Sequence, residues 1–171
     1  MARPRRLAAV LIMWGVCSGA VTAGPRPAPR VYLSDSVAHH AVLGAILGAQ
    51  LRLARTDCRQ LLTDFTDESG RVLLADLEAT GLGWPEYAVE RVSFVDGSEA
   101  PQCRKSQALA AFTEPGAKVV FVCAAHFAKL AHRTQAEVLI IHELLHTLGL
   151  GENPPSSQEI TQRVTKRCGG S

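Results

Sequence analysis

Two imidazoles and a carboxylate carry the most explicit chemistry in this chain, in the run Ile140-Ile141-His142-Glu143-Leu144-Leu145-His146-Thr147-Leu148-Gly149-Leu150-Gly151-Glu152. Positions four apart on a helix share a face, so His142 and His146 can grip one metal ion while Glu143 reaches the water bound to it. Burying two polar rings on so apolar a helix without partners would cost on the order of several kcal/mol. A shared divalent cation satisfies both at once. Catalytic zinc takes three protein ligands and keeps one position open, and Glu152, six residues beyond His146, is the expected third ligand. Glu159 is its rival, although Ser156 and Glu159 have the spacing of a capping box, which accounts for Glu159 without metal. The expected chemistry is hydrolysis by a water that Zn2+ acidifies, with Glu143 as general base and later proton donor to the departing amine. A further donor to the developing oxyanion is expected among His126, His132 and Arg163.

The helix that must hold these groups is well marked. Thr134-Gln135-Ala136-Glu137 has the form of a capping box at its start. Val138, Leu139, Ile141, Leu144, Leu145 and Leu148 then spread apolar surface around much of the cylinder, which predicts an interior helix. Gly149 supplies a left-handed exit and Gly151 a second bend.

The run His142 to Glu152 resembles the metzincin pattern HExxHxxGxxH/D, with Glu152 standing where the third His or Asp stands. Small secreted bacterial members with an acidic third ligand, the snapalysin-like proteases, are comparable in size. The stretch Val119-Val120-Phe121-Val122-Cys123 followed by a helix is also similar to the aspzincin, or deuterolysin-like, peptidases. The resemblance covers about residues 117–153 and implies a small zincin-like α+β domain, a mixed sheet packed on helices that include the HExxH helix. It also implies that the strand Lys118 to Val122 is an edge that pairs with an extended substrate. The chain departs from these patterns in three ways. Methionine occurs only at Met1 and Met13, so no Met-turn can lie beneath the metal; no Tyr follows Tyr87; and no Asp follows Asp96.

With 171 residues, 47% of them hydrophobic, the chain suits one domain with a real core. A net charge of +2 with few aromatics and no basic cluster beyond the extreme N-terminus argues against nucleic acid. Residues 1–23 have the form of an export signal: Arg3, Arg5 and Arg6, an apolar stretch from Leu7 to Val16, then small residues ending Val21-Thr22-Ala23. About ten apolar residues are roughly half of a membrane span, so no permanent anchor is expected. Lipidation at Cys17 is the weaker alternative, since Trp14-Gly15-Val16 is a poor approach to it. Residues 24–34 read as a Pro-rich lead-in and residues 35–171 as the zinc metallopeptidase-like domain. The expected protein is a secreted or periplasmic monomer acting on protein or peptide substrates. Alternatives are a zinc hydrolase of cell-wall peptides and a non-catalytic, zinc-stapled interaction module.

Export gives the remaining cysteines a meaning: Cys58, Cys103, Cys123 and Cys168 predict two disulfides in an oxidising compartment. Of the three possible pairings, Cys103 with Cys123 is preferred because that pair brackets a turn, and Cys58 with Cys168 because it would tie the chain's end to its body. Ser36 to about Leu62 predicts one long helix or two abutting ones, with Ser34, Asp35 or Ser36 as caps. His39 and His40, adjacent near its start, point about 100° apart and make a poor chelate. Thr63 to Gly70 is acidic but lacks calcium-loop spacing, and reads as a surface turn. Leu73 to Ala79 predicts a short helix, Val89 to Val95 a strand running into Asp96-Gly97, and Glu114-Pro115-Gly116 a turn. A short helical segment carrying His126 and His132 should follow Cys123, and Pro154-Pro155-Ser156 should open a last helix.

Overall fold

A computed structural model describes residues 27–130 and 132–170. The expected signal segment, Cys17 and both methionines lie outside these residues. In chain order the elements begin with β1 (Arg30–Tyr32), α1 (Ser36–Leu53), α2 (Thr56–Arg59), α3 (Leu61–Asp64), α4 (Leu73–Glu78), α5 (Trp84–Glu90) and β2 (Ser93–Asp96). They continue with α6 (Pro101–Lys105), β3 (Ala111–Phe112), β4 (Val119–Val122), α7 (Ala124–Phe127), α8 (Arg133–Thr147) and α9 (Ser157–Cys168). The chain is therefore α+β, with one mixed sheet packed on helices.

The sheet order is β1-β2-β4-β3. The first three strands run parallel, with Phe94 opposite Val31 and Val120, and β3 returns antiparallel with Phe112 opposite Phe121. This corrects the edge assignment: β4 lies between β2 and β3, and among the described residues the sheet edge beside it is β3. Val119–Val122 is the most β-branched strand here and suits a position paired on both sides. The shorter Ala111–Phe112 takes the outside.

α1 carries Ala38, Val42, Ala45, Ile46, Ala49 and Leu53 at helical intervals, all buried. This face packs on α8 and α5, and Asp35 caps the helix by accepting from the Ala38 amide at 2.7 Å. The predicted long helix ends earlier than its composition suggests. It breaks at Ala54-Arg55 and the following helical pieces turn away by 94°, which carries Cys58 to Cys168 on α9. The two disulfides are Cys58–Cys168 and Cys103–Cys123, the preferred pairing. Among the described residues no single helix is long and apolar enough to cross a membrane.

Three boundaries differ from expectation. Val89 and Glu90 belong to α5, because Pro85 at its first turn and the buried run Tyr87-Ala88-Val89 favour a helix until Glu90; only from Ser93 does the chain extend. His132 lies outside the short helix carrying His126 and is the N-cap of α8. The capping box at Thr134 does not form. Glu137 turns inward instead, accepting from Arg52 Nε at 2.6 Å and from Arg133 Nε at 2.9 Å. Two charge-assisted bonds outweigh one cap. Gly48 makes that ion pair possible, because a Cβ at this position would overlap the Glu137 carboxylate.

Candidate metal centre

α8 is interior, as its pattern predicts: Ile140, Ile141, Leu144 and Leu145 are fully buried, and His142, Glu143 and His146 are buried beside them. The far end of the helix is fixed from several sides. Tyr87 Oη donates to Thr147, Lys118 Nζ donates to the Thr147 carbonyl, and the Gly116 amide donates to the His146 carbonyl at 2.8 Å. The chain then leaves through Gly149 at φ 110°, a conformation that only glycine adopts without strain. The turn closes with the Leu150 amide on the Leu145 carbonyl at 3.2 Å. Folding back in this way lays the Leu150 carbonyl against His146 and brings Glu152 over both rings.

The donor atoms converge. His142 Nε2 and His146 Nε2 are 3.0 Å apart, and Glu152 Oε1 lies 3.6 Å from the first and 3.4 Å from the second. Tetrahedral ligation at bond lengths of about 2.0–2.1 Å separates neighbouring donors by about 3.3 Å, so this triangle has the dimensions a zinc ion requires. Two imidazoles and one carboxylate are also a donor set that zinc accepts. Among the described residues this is the group of His, Cys, Asp and Glu side chains disposed to hold a metal ion. Glu159 is elsewhere: it accepts from the Ser156 amide and hydroxyl, both at 2.8 Å, completing the expected capping box of α9. The Ser156 backbone and side chain hold its carboxyl below the usual carboxylate range.

The outer nitrogens are also committed. His146 Nδ1 lies 2.6 Å from the Leu150 carbonyl, which only accepts, so a neutral ring carries its proton there and turns the Nε2 lone pair inward. His142 Nδ1 lies 2.9 Å from Thr161 Oγ1 on α9, a hydroxyl that can give or take a proton. Burial, with His146 beside it, pushes the His142 imidazole down to about 3, which keeps the ring neutral at ordinary pH, the form able to bind a metal.

Glu143 faces the same opening. Burial pushes its carboxyl up to about 8; Thr113 opposes the shift and the Glu152 carboxylate adds to it. Its Oε2 is buried without a hydrogen-bond partner, as is Thr113 Oγ1 nearby. A buried orphaned carboxylate oxygen costs stability unless a site uses it. Both groups line a cleft of about 500 Å³ that also holds His142, His146 and Glu152, with β3 and the turn after it forming one wall.

The three residues expected as oxyanion donors are not in this cleft. His126 Nδ1 is 2.8 Å from the Leu109 carbonyl, His132 stands at the N-cap position of α8, and Arg163 lies over the Phe65 ring while donating to the Asp64 carbonyl. The polar side chains that do line it are Gln102, Thr113 and Ser157. Nothing in their local sequence signals this, nor the role of Thr161, because tertiary docking of α6, β3 and α9 brings them in. Comparison with family models, with curated proteins and with solved structures gives no match. The functional reading therefore rests on this geometry.

Proposed function

We propose that the protein is a zinc-dependent endopeptidase that acts after export, with His142, His146 and Glu152 as metal ligands and Glu143 as general base. The observation that carries this reading is the triangle of donors with edges of 3.0, 3.4 and 3.6 Å, open to a cleft in which the orphaned Glu143 carboxylate stands beside it. Bound there, zinc would supply Lewis acidity, acidify a water and draw Glu143 back to its ionised form.

The chain's own groups then divide the work. Thr161 and the Leu150 carbonyl hold both rings in register. The free edge of β3 offers main-chain hydrogen bonds to an extended peptide. Glu143 takes the proton of the attacking water and returns it to the departing nitrogen. Thr113, Gln102 and Ser157, polar side chains lining the cleft, are the candidates to meet charge on the reacting oxygen. A closed structural site would seal its fourth corner with protein, whereas here Glu152 is 38% exposed at the cleft. Two disulfides are compatible with life outside a reducing compartment.

The test is metal content and casein degradation, measured together on wild type and Glu143→Gln. Wild type should bind about one zinc and degrade casein, losing activity to a chelator and regaining it with zinc. Glu143→Gln should bind zinc and be inactive. A zinc-loaded Glu143→Gln protein with undiminished activity would overturn the assignment of the base.

A further inference from the structure

From Ser36 to Leu51, α1 carries no Lys, Arg, Asp or Glu, and apart from His39, His40 and Gln50 the residues after Ser36 are small or apolar. A surface helix normally turns charged residues to water, and one that is apolar all round is normally covered all round. The fold covers α1 from one side, chiefly with α8, α5 and α7. On the other side Val37 (65%), Leu47 (47%) and Leu51 (74%) stay exposed, in line with Gly44 at helical intervals of seven, three and four. Among the described residues, Tyr32 and Val72 are the other large hydrophobics so exposed. Single apolar side chains on a surface need no explanation, but an aligned stripe gains by leaving water.

Beside this stripe the same helix offers a hollow. Ala41, Gly44 and Ala45 line a cavity of about 340 Å³ against Phe127 of α7. Its polar lining is His40, His132 and Arg133, and the last is held by Glu137 at 2.9 Å. Gly44 is the point about which the pattern is symmetric: Val37 and Leu51 each lie seven residues from it, and Ala41 and Leu47 three. When two copies of α1 cross antiparallel on a two-fold axis at Gly44, Val37 of each meets Leu51 of the other, and Leu47 of each reaches Ala41 and the cavity of the other. A Cβ at Gly44 would meet nothing within 4 Å, so the backbone there is open to close approach. An isologous dimer needs a patch complementary to itself. Projecting leucines and a hollow on one uncharged helix supply it, with no like charges brought face to face.

We infer that α1 is the interface of a two-fold homodimer in which Leu47 of each copy enters the cavity beside Ala41 of the other. A membrane surface also takes up apolar stripes, but interfacial helices hold Lys and Arg beside their apolar face. The one cation of α1, Arg52, is taken up by Glu137 and the Cys168 carbonyl. The stripe is small beside a standard interface of about 1,600 Å², so the dimer should dissociate with a Kd on the order of 10 µM.

The experiment is sedimentation velocity of the disulfide-intact protein, from tenfold below to tenfold above that concentration. Wild type should pass from monomer to dimer. Leu51→Glu should weaken association by about a hundredfold or more, because each dimer would bury two carboxylates without partners, and should melt with wild type because the side chain is exposed in the monomer. Gly44→Cys places a thiol on the two-fold axis, where two copies meet. Under oxidised glutathione it should crosslink at least about tenfold faster than Gln162→Cys on the exposed side of α9, since a disulfide forms only between closely approaching positions. A monomer at every concentration, the state expected from the sequence, a dimer indifferent to Leu51→Glu, or equal crosslinking of the two cysteine variants would overturn the inference. So would co-sedimentation of wild type, lost in Leu51→Glu, with vesicles of phosphatidylcholine and phosphatidylglycerol, which would assign the stripe to a membrane. None of these readouts uses peptide hydrolysis, so the result is independent of the peptidase reading.

Discussion

Glu143→Gln should make the metal-free protein more stable, by an amount that grows with pH. The ordinary pKa of the side chain is 4.5 and burial pushes it up to about 8 in the fold. Its folded-state pKa is raised, so the carboxyl's contribution to stability is fully present below pH 4.5 and is lost as pH rises toward 8. Between those values the unfolded chain ionises this group while the folded chain must keep it protonated, so folding takes up a proton. At 1.36 kcal/mol per pH unit, the cost is about 1 kcal/mol at pH 5, about 3 at pH 7 and about 4 at pH 8. Glutamine has the same shape and does not ionise, so the variant escapes the cost. At roughly 2–4 °C per kcal/mol for a domain of this size, the variant should melt about 6–12 °C above wild type at pH 7 and close to it at pH 5. Thermal unfolding in excess chelator across that range measures the gap. Because the His142 shift is common to both proteins, it cancels in the difference. A gap that does not change between pH 5 and pH 8 would refute the idea that Glu143 is held out of water by the fold.

Further outcomes follow from the same geometry. Glu152→Ala should weaken zinc binding by about a hundredfold or more, beyond the range of outer partners, while Glu159→Ala should leave zinc affinity intact and lower the denaturant midpoint slightly through the lost capping box; competition with a chromogenic chelator and denaturant unfolding separate the two. Thr161→Val should weaken zinc binding about 10–100-fold and Thr161→Ser should restore it; equal affinities in all three proteins would show that the hydroxyl does not orient His142. Removing the Cys58–Cys168 bridge, whose separation is 110 residues, should cost about 4–5 kcal/mol, against about 3 for Cys103–Cys123 at a separation of 20. Denaturant midpoints of the two paired Cys→Ser variants decide this, and a larger loss at the shorter loop would contradict the chain-entropy account.

What could be read from the amino acids alone was whatever is decided locally. The interior character of α8, the glycine exit at Gly149, the Ser156–Glu159 cap, the strand Val119–Val122 and the turn after β3 all depend on neighbours within a few positions. Both disulfide pairings also emerge as preferred. The errors arise where a distant residue takes over. Glu137 suits a cap by spacing, but Arg52, 85 positions away, claims it. The helical composition beyond Leu53 gives way to a bend that brings Cys58 to Cys168. The family resemblance puts the substrate edge on the strongest strand, whereas sheet order puts that strand inside and leaves the weaker Ala111–Phe112 at the edge among the described residues. At the centre itself, His142, His146 and Glu152 were legible because their spacing is a helical turn plus one glycine bend. Thr113 and Thr161 were not, since each depends on how separate elements dock.

The small space left by Gly48 has a mechanical consequence for how α8 is held against α1. Glu137, seated there between two guanidiniums, works like a set screw between adjacent rods: through Arg52 it ties α8 to α1. A methyl group at position 48 would press on the Glu137 carboxylate and unseat both ion pairs, five residues before His142.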